Sequence, residues 1–263
     1  MSTQINRQHL KELRAKEEQR FLDTHKKSAA AFEDSKKVMH EGVPMSWMAK
    51  WPGSHPVFVK EAKGARFTDV DGHTYVDFCL GDTGSMTGHS PDATVAAVRE
   101  QVGKGITAML PTEDAAIVSG LLRDRFGLPL WQFTVSATDA NRHVIRYSRM
   151  ITGRSKIIVI DRCYHGSVDE TFATLDDAGL TIKREGNIGA PVELAETTRV
   201  VEFNDLEAME KALAHGDVAA ILMEPAMTNI GIVLPVEGYL KGVEELCKKY
   251  GTLLIIDETH TIS

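Results

Sequence analysis

The sequence predicts an α/β fold: a mostly parallel β-sheet covered by helices on both faces. Two observations predict it. The strands read as unbroken apolar runs, Ile157-Ile158-Val159-Ile160, Val218-Ala219-Ala220-Ile221-Leu222 and Leu253-Leu254-Ile255-Ile256. Such runs belong to strands that bury both faces. Between the runs stand helical segments closed by Gly153, Gly216 and Gly251, the order of parallel strands joined by crossover helices.

The elements follow in chain order. The first forty residues hold nine Lys/Arg against six Asp/Glu, with few apolar positions, and read as a charged helix on a surface or a partner subunit. Arg66–Val70 and Thr74–Phe78 alternate in polarity around Asp71-Gly72, a hairpin with the turn where positive φ is tolerated. A glycine-dense loop follows, Gly81 to Pro91. Ser90-Pro91 opens a helix with Val95, Val98 and Val102 on one side, because proline fits a first helical turn. Thr112 caps another, bearing Ile117, Leu121 and Leu122. Phe133–Ser136 closes a short strand, and a helix runs from Thr138 to Thr152. Lys156–Ile160 and Arg199–Phe203 are strands. Asn204 caps a helix carrying Leu206, Met209 and Leu213. Val218–Leu222 is a strand, Leu240, Val243, Leu246 and Tyr250 line a helix, and Thr252–Asp257 is the last strand. Leu175–Thr198, with Gly179, Gly186 and Gly189, reads as a long loop. The expected division is 1–85, a helical arm and hairpin segment, and 86–263, a sheet domain.

Composition excludes several classes. The chain has 263 residues, 43% hydrophobic and 25% charged, an ordinary globular mix. A net charge of −7 argues against an electrostatic nucleic-acid binder. No apolar run reaches membrane-spanning length, and Met1–Leu10 is too polar for a secretory signal. Cys79, Cys163 and Cys247 stand far apart without a CxxC pair, which reads as reduced thiols in a cytoplasmic protein with no metal site.

In open α/β sheets, ligands sit beyond the carboxyl ends of the strands. At those ends stand Ser136-Ala137-Thr138, Tyr164-His165, Glu224 with Asn229 beyond it, and Asp257-Glu258-Thr259. Ser136–Thr138 opens a helix, where free N–H groups and the dipole favour an anion. The same residues also form a capping box, Ser136-x-x-Asp139, that needs no ligand. Asp257 ends an apolar strand, so its carboxylate is buried and calls for a cation or several donors. Mg²⁺, an arginine and a protonated cofactor nitrogen all answer that need, as does a structural salt bridge. No GxxxxGK[ST] accompanies it, so a nucleotide phosphate cradle is missing. Tyr164 is either a packed aromatic or a stacking face. Together these pieces fit a pyridoxal phosphate (PLP) site. The anion would rest on the helix end, Tyr164 on the ring, and Asp257 on the pyridinium nitrogen.

Seven ordered motifs now carry a resemblance: DVDGHTYVDF from Asp69, GHSP from Gly88, SATDANR from Ser136, TGRSKII from Thr152, YHGS from Tyr164, EPAMTNIGIVLP from Glu224 and IDETHT from Ile256. From about Glu41 to its last residue the chain resembles a class III, fold-type I PLP-dependent aminotransferase of the glutamate-1-semialdehyde aminomutase-like branch. The resemblance implies the large domain of that fold, incomplete here, a homodimer, and amino-group transfer between an amine or amino acid and a keto or aldehyde acceptor. It implies phosphate binding at Ser136, Ala137 and Thr138, with Ala137 where the family carries glycine. Tyr164 and His165 would stand at the ring, Glu224 beside the site and Asn229 near the cofactor oxygen. Asp257 would pair with the ring nitrogen, and Thr259 would pack on the other ring face. The substrate arginine expected between Gly42 and Met48 is absent, and Trp47, Met48 and Trp51 suggest a more apolar pocket. The Schiff-base lysine of the family lies roughly thirty residues beyond the pyridinium-binding Asp, past Ser263. Neither Lys104 nor Lys156 takes its place. The chain is therefore expected to be the N-terminal part of an enzyme, inactive by itself, or a non-catalytic PLP-binding or dimerising product of the same fold.

Overall fold

The chain divides into two units, and the hydrophobic core cluster of the described residues lies in the second. A computed structural model describes residues 5–262 and divides them into compact units, one reaching to Leu110 and one starting at Pro111. The expected division lay at 85/86. The helix after the glycine-dense loop groups with the first unit because that loop is tied back to the hairpin strands: Gly64 and His89 exchange backbone hydrogen bonds of 2.9 and 2.8 Å, and Lys63 pairs with Asp92.

In the first unit, α1 (Arg7–Thr24) and α2 (Lys26–Ser35) form the charged arm. α1 buries none of its residues, as its polar composition requires. A three-stranded antiparallel sheet follows: β1 (Val59–Lys63), β2 (Arg66–Asp69) and β3 (Thr74–Val76). The β2–β3 turn is the one expected at Asp71-Gly72, with Gly72 at φ 99°. Beyond it the Asp77 carboxylate accepts from the N–H groups of Cys79, Leu80 and Gly81 and meets His89 Nε2 at 2.7 Å. These bonds order a loop in which Leu80, Asp82 and Thr83 all adopt positive φ. α3 (Asp92–Val102) starts after Pro91 as expected, but Val98 and Val102 of its apolar stripe stay exposed.

The second unit opens with α4 (Glu113–Phe126), which also buries no residue; Ile117 and Leu121 are exposed. Thr112 takes the N-cap position without a side-chain cap bond. The expected strand ending at Ser136 does not form. Its residues join no sheet among the described residues, and Phe133 and Val135 are exposed. A strand exists only where a neighbour supplies ladder partners.

The core is a parallel sheet of β4 (Lys156–Ile160), β7 (Thr198–Val201), β8 (Val218–Met223) and β9 (Leu253–Ile256), in the order β7-β4-β8-β9. Register places Ile157 beside Thr198 and Ala220, and Met223 beside Ile256. All six residues of β8 and the last four of β4 are buried. Successive side chains point to opposite faces, so both faces of these strands are covered, as the apolar runs predict. α5 (Ala137–Thr152) packs on β8, α7 (Leu206–Leu213) on β7 and α8 (Tyr239–Tyr250) on β9. α5 and α8 end at left-handed Gly153 and Gly251.

Two details depart from expectation. Asp205, not Asn204, caps α7: its carboxylate accepts from Ala208 N at 2.8 Å. Asn204 sits at φ 68° and bridges instead to Val236 N and Leu234 O. The stretch expected as a loop carries β5 (Ala173–Leu175), β6 (Thr181–Lys183) and the short α6 (Leu194–Thr197). β5 and β6 pair through a turn in which Asp176 accepts from Ala178 N and Leu180 N. Three-residue strands are too short to show a period.

Candidate functional site

The chain leaves β4 toward β7 on one side. It then returns across β4 to β8 and steps to β9. The carboxyl ends of β4 and β8 therefore flank a point where connections diverge, the place where open α/β sheets bind ligands. The loop after β4 carries Tyr164-His165-Gly166, β8 runs into Glu224, and β9 into Asp257.

Asp257 anchors this edge. Its backbone N–H extends the ladder to Met223 O at 2.8 Å, which fixes the side chain just beyond the sheet. The carboxylate is buried and each oxygen accepts two hydrogen bonds. Oδ2 takes His165 Nδ1 at 2.8 Å and Asn141 Nδ2 at 2.9 Å; Oδ1 takes Thr259 N at 3.0 Å and the Thr259 hydroxyl at 2.6 Å. Burial alone would raise its pKa, but the donors from His165, Thr259 and Asn141 outweigh burial and hold the carboxyl well below its usual range. The partner responds in the opposite sense. Burial would lower the pKa of His165, yet Asp257 and then Cys163 push it up to about 9. The pair is thus a carboxylate and an imidazolium at neutral pH.

Asn141 was assigned no role from the sequence, although it lies inside the SATDANR motif. It is buried one turn into α5 and also donates to His165 O at 3.1 Å. Its signal is a polar residue on the inward face of an otherwise packed helix, four positions after Ala137.

The start of α5 is equally constrained. Ser136 accepts from Asp139 N at 3.2 Å, so the cap half of the expected box is present. The Thr138 hydroxyl accepts from Ser167 N at 3.0 Å. Gly166, at φ 78°, lies against this turn so closely that a Cβ there would stand 2.1 Å from Thr138 Oγ1 and 2.9 Å from Thr138 Cα. The YHGS loop and the helix N-terminus therefore touch with no space for a side chain. Tyr164 is half exposed, whereas Glu224 is buried with one oxygen on the Thr228 hydroxyl. Asn229 is exposed and donates to Arg162 O at 3.2 Å. His165 Nε2 and Glu224 Oε1 are buried with no hydrogen-bond partner among the described residues. Structure thus gathers His165, Thr259 and Asp257, with Asn141, into one bonded cluster, and Thr138 is tied to the adjoining loop through Ser167 N. Trp47, Met48 and Trp51 lie in the first unit, around an apolar cavity of about 630 Å³ that Met39, Val43 and Phe58 also line.

A switch-point sheet, a helix N-terminus seated on a glycine and a buried carboxylate define a ligand-binding edge of an open α/β fold. Comparison with known proteins narrows it. Residues 47–261 match the family model "Aminotransferase class-III", and the chain belongs to that family. The crystal structure of a glutamate-1-semialdehyde aminomutase from Pseudomonas aeruginosa superposes with a TM-score of 0.94 at 51% identity, covering 98% of this chain and 57% of that one. A variant of that aminomutase has been solved in complex with PMP. An omega-transaminase from Sphaerobacter thermophilus matches with a TM-score of 0.83 at 27% identity, over 89% of this chain and 55% of its own. A glutamate-1-semialdehyde 2,1-aminomutase from Methanocaldococcus jannaschii is 36% identical over 89% of this chain and 55% of its own length. The chain spans about half the length of the relatives it matches.

Proposed function

We propose that this chain is the cofactor-seating half of a PLP-dependent aminotransferase or aminomutase of the glutamate-1-semialdehyde type. One observation carries the reading: a buried carboxylate, Asp257, kept deprotonated by four donors beside the N-terminus of a 16-residue helix. The residues present fit the group. The glycine cradle at Gly166 brings the loop against the helix end, and buried unpartnered atoms of His165 and Glu224 lie at the same strand ends.

Bound PLP supplies an electron sink for amino-group transfer. This chain's residues prepare its place. Ser136, Ala137 and Thr138 offer N–H groups and a hydroxyl to the phosphate, where the helix dipole adds its field. Tyr164 presents an open aromatic face. Asp257 offers a negative charge to the ring nitrogen, and the Thr259 hydroxyl, which rotates freely about its bond, can release its hold on Oδ1. Asn141 and His165 orient the carboxylate. Glu224 and Asn229 bound the cleft for the substrate, an amine or amino acid with its keto or aldehyde partner. A second copy of the chain completes the site in a homodimer. The support is the exposed apolar stripes, Val98 and Val102 in the first unit and Ile117 and Leu121 in the second. The setting is cytoplasmic. Nucleic acid and membrane play no part in this reading; among the described residues no helix is long and apolar enough to cross a membrane.

A second reading, cofactor binding without turnover, is favoured by where the lysines stand. Lys156 opens β4 at the edge opposite Asp257, with its ammonium on Ala195 O, and Lys104 follows α3. Calorimetric titration of the purified chain with PLP, and with pyridoxal lacking the phosphate, tests the binding common to both readings. PLP is expected to bind more tightly than pyridoxal. Asp257→Asn should weaken PLP by tenfold to a hundredfold, since a hydrogen bond to a charged group is worth about 1.5–3 kcal/mol. Equal affinity for PLP and pyridoxal, or an unaffected Asp257→Asn variant, would refute the assignment. Borohydride reduction that modified one unique lysine would remove the second reading.

A further inference from the structure

A second polar cluster lies in the first unit, where α1 meets α2 and the β2–β3 turn. His25, Asp69 and His73 bring one donor atom each within 4.8 Å of one another. Asp69 is fully buried at the end of β2. Its Oδ1 accepts from His73 N at 2.8 Å. Its Oδ2 accepts from the Tyr75 hydroxyl at 2.9 Å and faces His73 Nδ1 at 3.1 Å and His25 Nε2 at 3.6 Å. Among the described residues no lysine or arginine pairs with this carboxylate; beside its neutral donors, the groups facing it that can carry a positive charge are the two imidazoles. A buried carboxylate without a cation is expensive.

His25 shows which cation the geometry suits. Its Nδ1 faces the Phe21 carbonyl at 3.0 Å, which can only accept, so that nitrogen carries a proton and Nε2 turns toward Asp69. Metal-bound imidazoles adopt this arrangement: one nitrogen ligates while the other donates to a backbone carbonyl. Spacing agrees as well. Ligand atoms at ~2.0–2.1 Å from a tetrahedral ion stand about 3.4 Å apart, and the separations of 3.1 and 3.6 Å from Asp69 bracket that value. The Tyr75 hydroxyl stands 2.7 Å from His25 Nε2 and 2.9 Å from Asp69 Oδ2, within reach of the same ion. As a phenol it would serve as a neutral ligand or yield to water. The set of two imidazoles and one carboxylate suits Zn²⁺ and its neighbours better than Mg²⁺ or Ca²⁺. His73 is partly exposed, which gives an ion its path in.

We propose that His25 Nε2, Asp69 Oδ2 and His73 Nδ1 bind one divalent ion of the zinc class, a structural site that pins the α1–α2 joint to the hairpin. Asp71 already holds this joint from the same turn, accepting from Lys27 N, Ser28 N and the Ser28 hydroxyl at 2.7, 3.0 and 2.7 Å. The ion would add a second clamp between segments far apart in sequence.

The test uses the full chain after chelator treatment and dialysis. Co²⁺ titration should reach one equivalent with strong visible bands of a four-coordinate ion, Zn²⁺ should displace it one for one, and Zn²⁺ should raise the unfolding temperature. His73→Ala should weaken binding at least tenfold with an unchanged circular dichroism spectrum, while His143→Ala should leave binding intact. In the unaltered protein, Zn²⁺ should move the ¹⁵N resonances of His25 Nε2 and His73 Nδ1, a readout that needs no variant. Absence of the Co²⁺ bands, unmoved resonances, or full affinity in His73→Ala would overturn the site.

Discussion

Raising the pH through the basic range removes the positive charge of the His165 ring that faces Asp257. The imidazole has an ordinary pKa of 6.5 and is pushed up to about 9 in the fold. A group with a raised folded pKa contributes stability that is fully present below its unfolded value and is lost as the pH climbs through its folded one. The window here runs from 6.5 to about 9. The difference is about 2.5 units, and at 1.36 kcal/mol per unit the contact contributes about 3 kcal/mol at pH 6 and little by pH 10. The lowered pKa of Asp257 describes the same contact from the other side, so the two are not added. Urea unfolding followed by circular dichroism across this range should show the loss in the unaltered chain. Subtracting the profile of His165→Gln should isolate it. Asp257→Asn, which keeps the shape and removes the charge, should flatten the slope, and the His165 ring resonances should titrate near 9 rather than 6.5. A ring titrating near 6.5, or equal slopes in all three proteins, would refute the ion-pair account.

Two stability experiments address the helix ends. Gly166→Ala places a methyl group against Thr138 in a left-handed conformation, at about 1–2 kcal/mol for the backbone and about 1–3 kcal/mol for the overpacking. Gly179→Ala, at φ 75° with nothing within 4 Å of its Cβ, should show the backbone cost alone. Equal unfolding midpoints for the two would mean that the Thr138 contact is not tight. Asp205→Ala should lose about 1 kcal/mol through the α7 cap in the same urea assay, and an unchanged midpoint would show that the bond to Ala208 N contributes nothing.

Strands β4 and β8 were legible because burial on both faces leaves no polar position to blur the run. α5 and α8 were legible because each ends on a glycine whose left-handed φ no neighbour could supply cheaply. The stretch ending at Ser136 misled because Phe133 and Val135 carry strand chemistry, while pairing depends on a neighbour that local composition does not reveal. β5 and β6 escaped because three residues show no alternation. Asn204 and Asp205 are equally good caps in isolation; the choice fell to Asp205 because Asn204 is engaged with the backbone at Leu234 and Val236. At the candidate site, strand ends pointed to Asp257 and His165, and the helix start after Ser136 pointed to Thr138. Asn141 stayed hidden because its value lies in a bond across 116 positions of sequence, which nothing in a helix of its own kind announces.

Asn141 gives α5 the character of a ruler. The helix presents its first turn to one end of the site and, four residues on, reaches Asp257 at the other. Four residues advance an α-helix by about 6 Å, and each residue turns it by about 100°. One residue inserted or deleted between Ala137 and Asn141 would swing the amide away from the carboxylate and change the span at once. The length of this stretch therefore sets both ends at once.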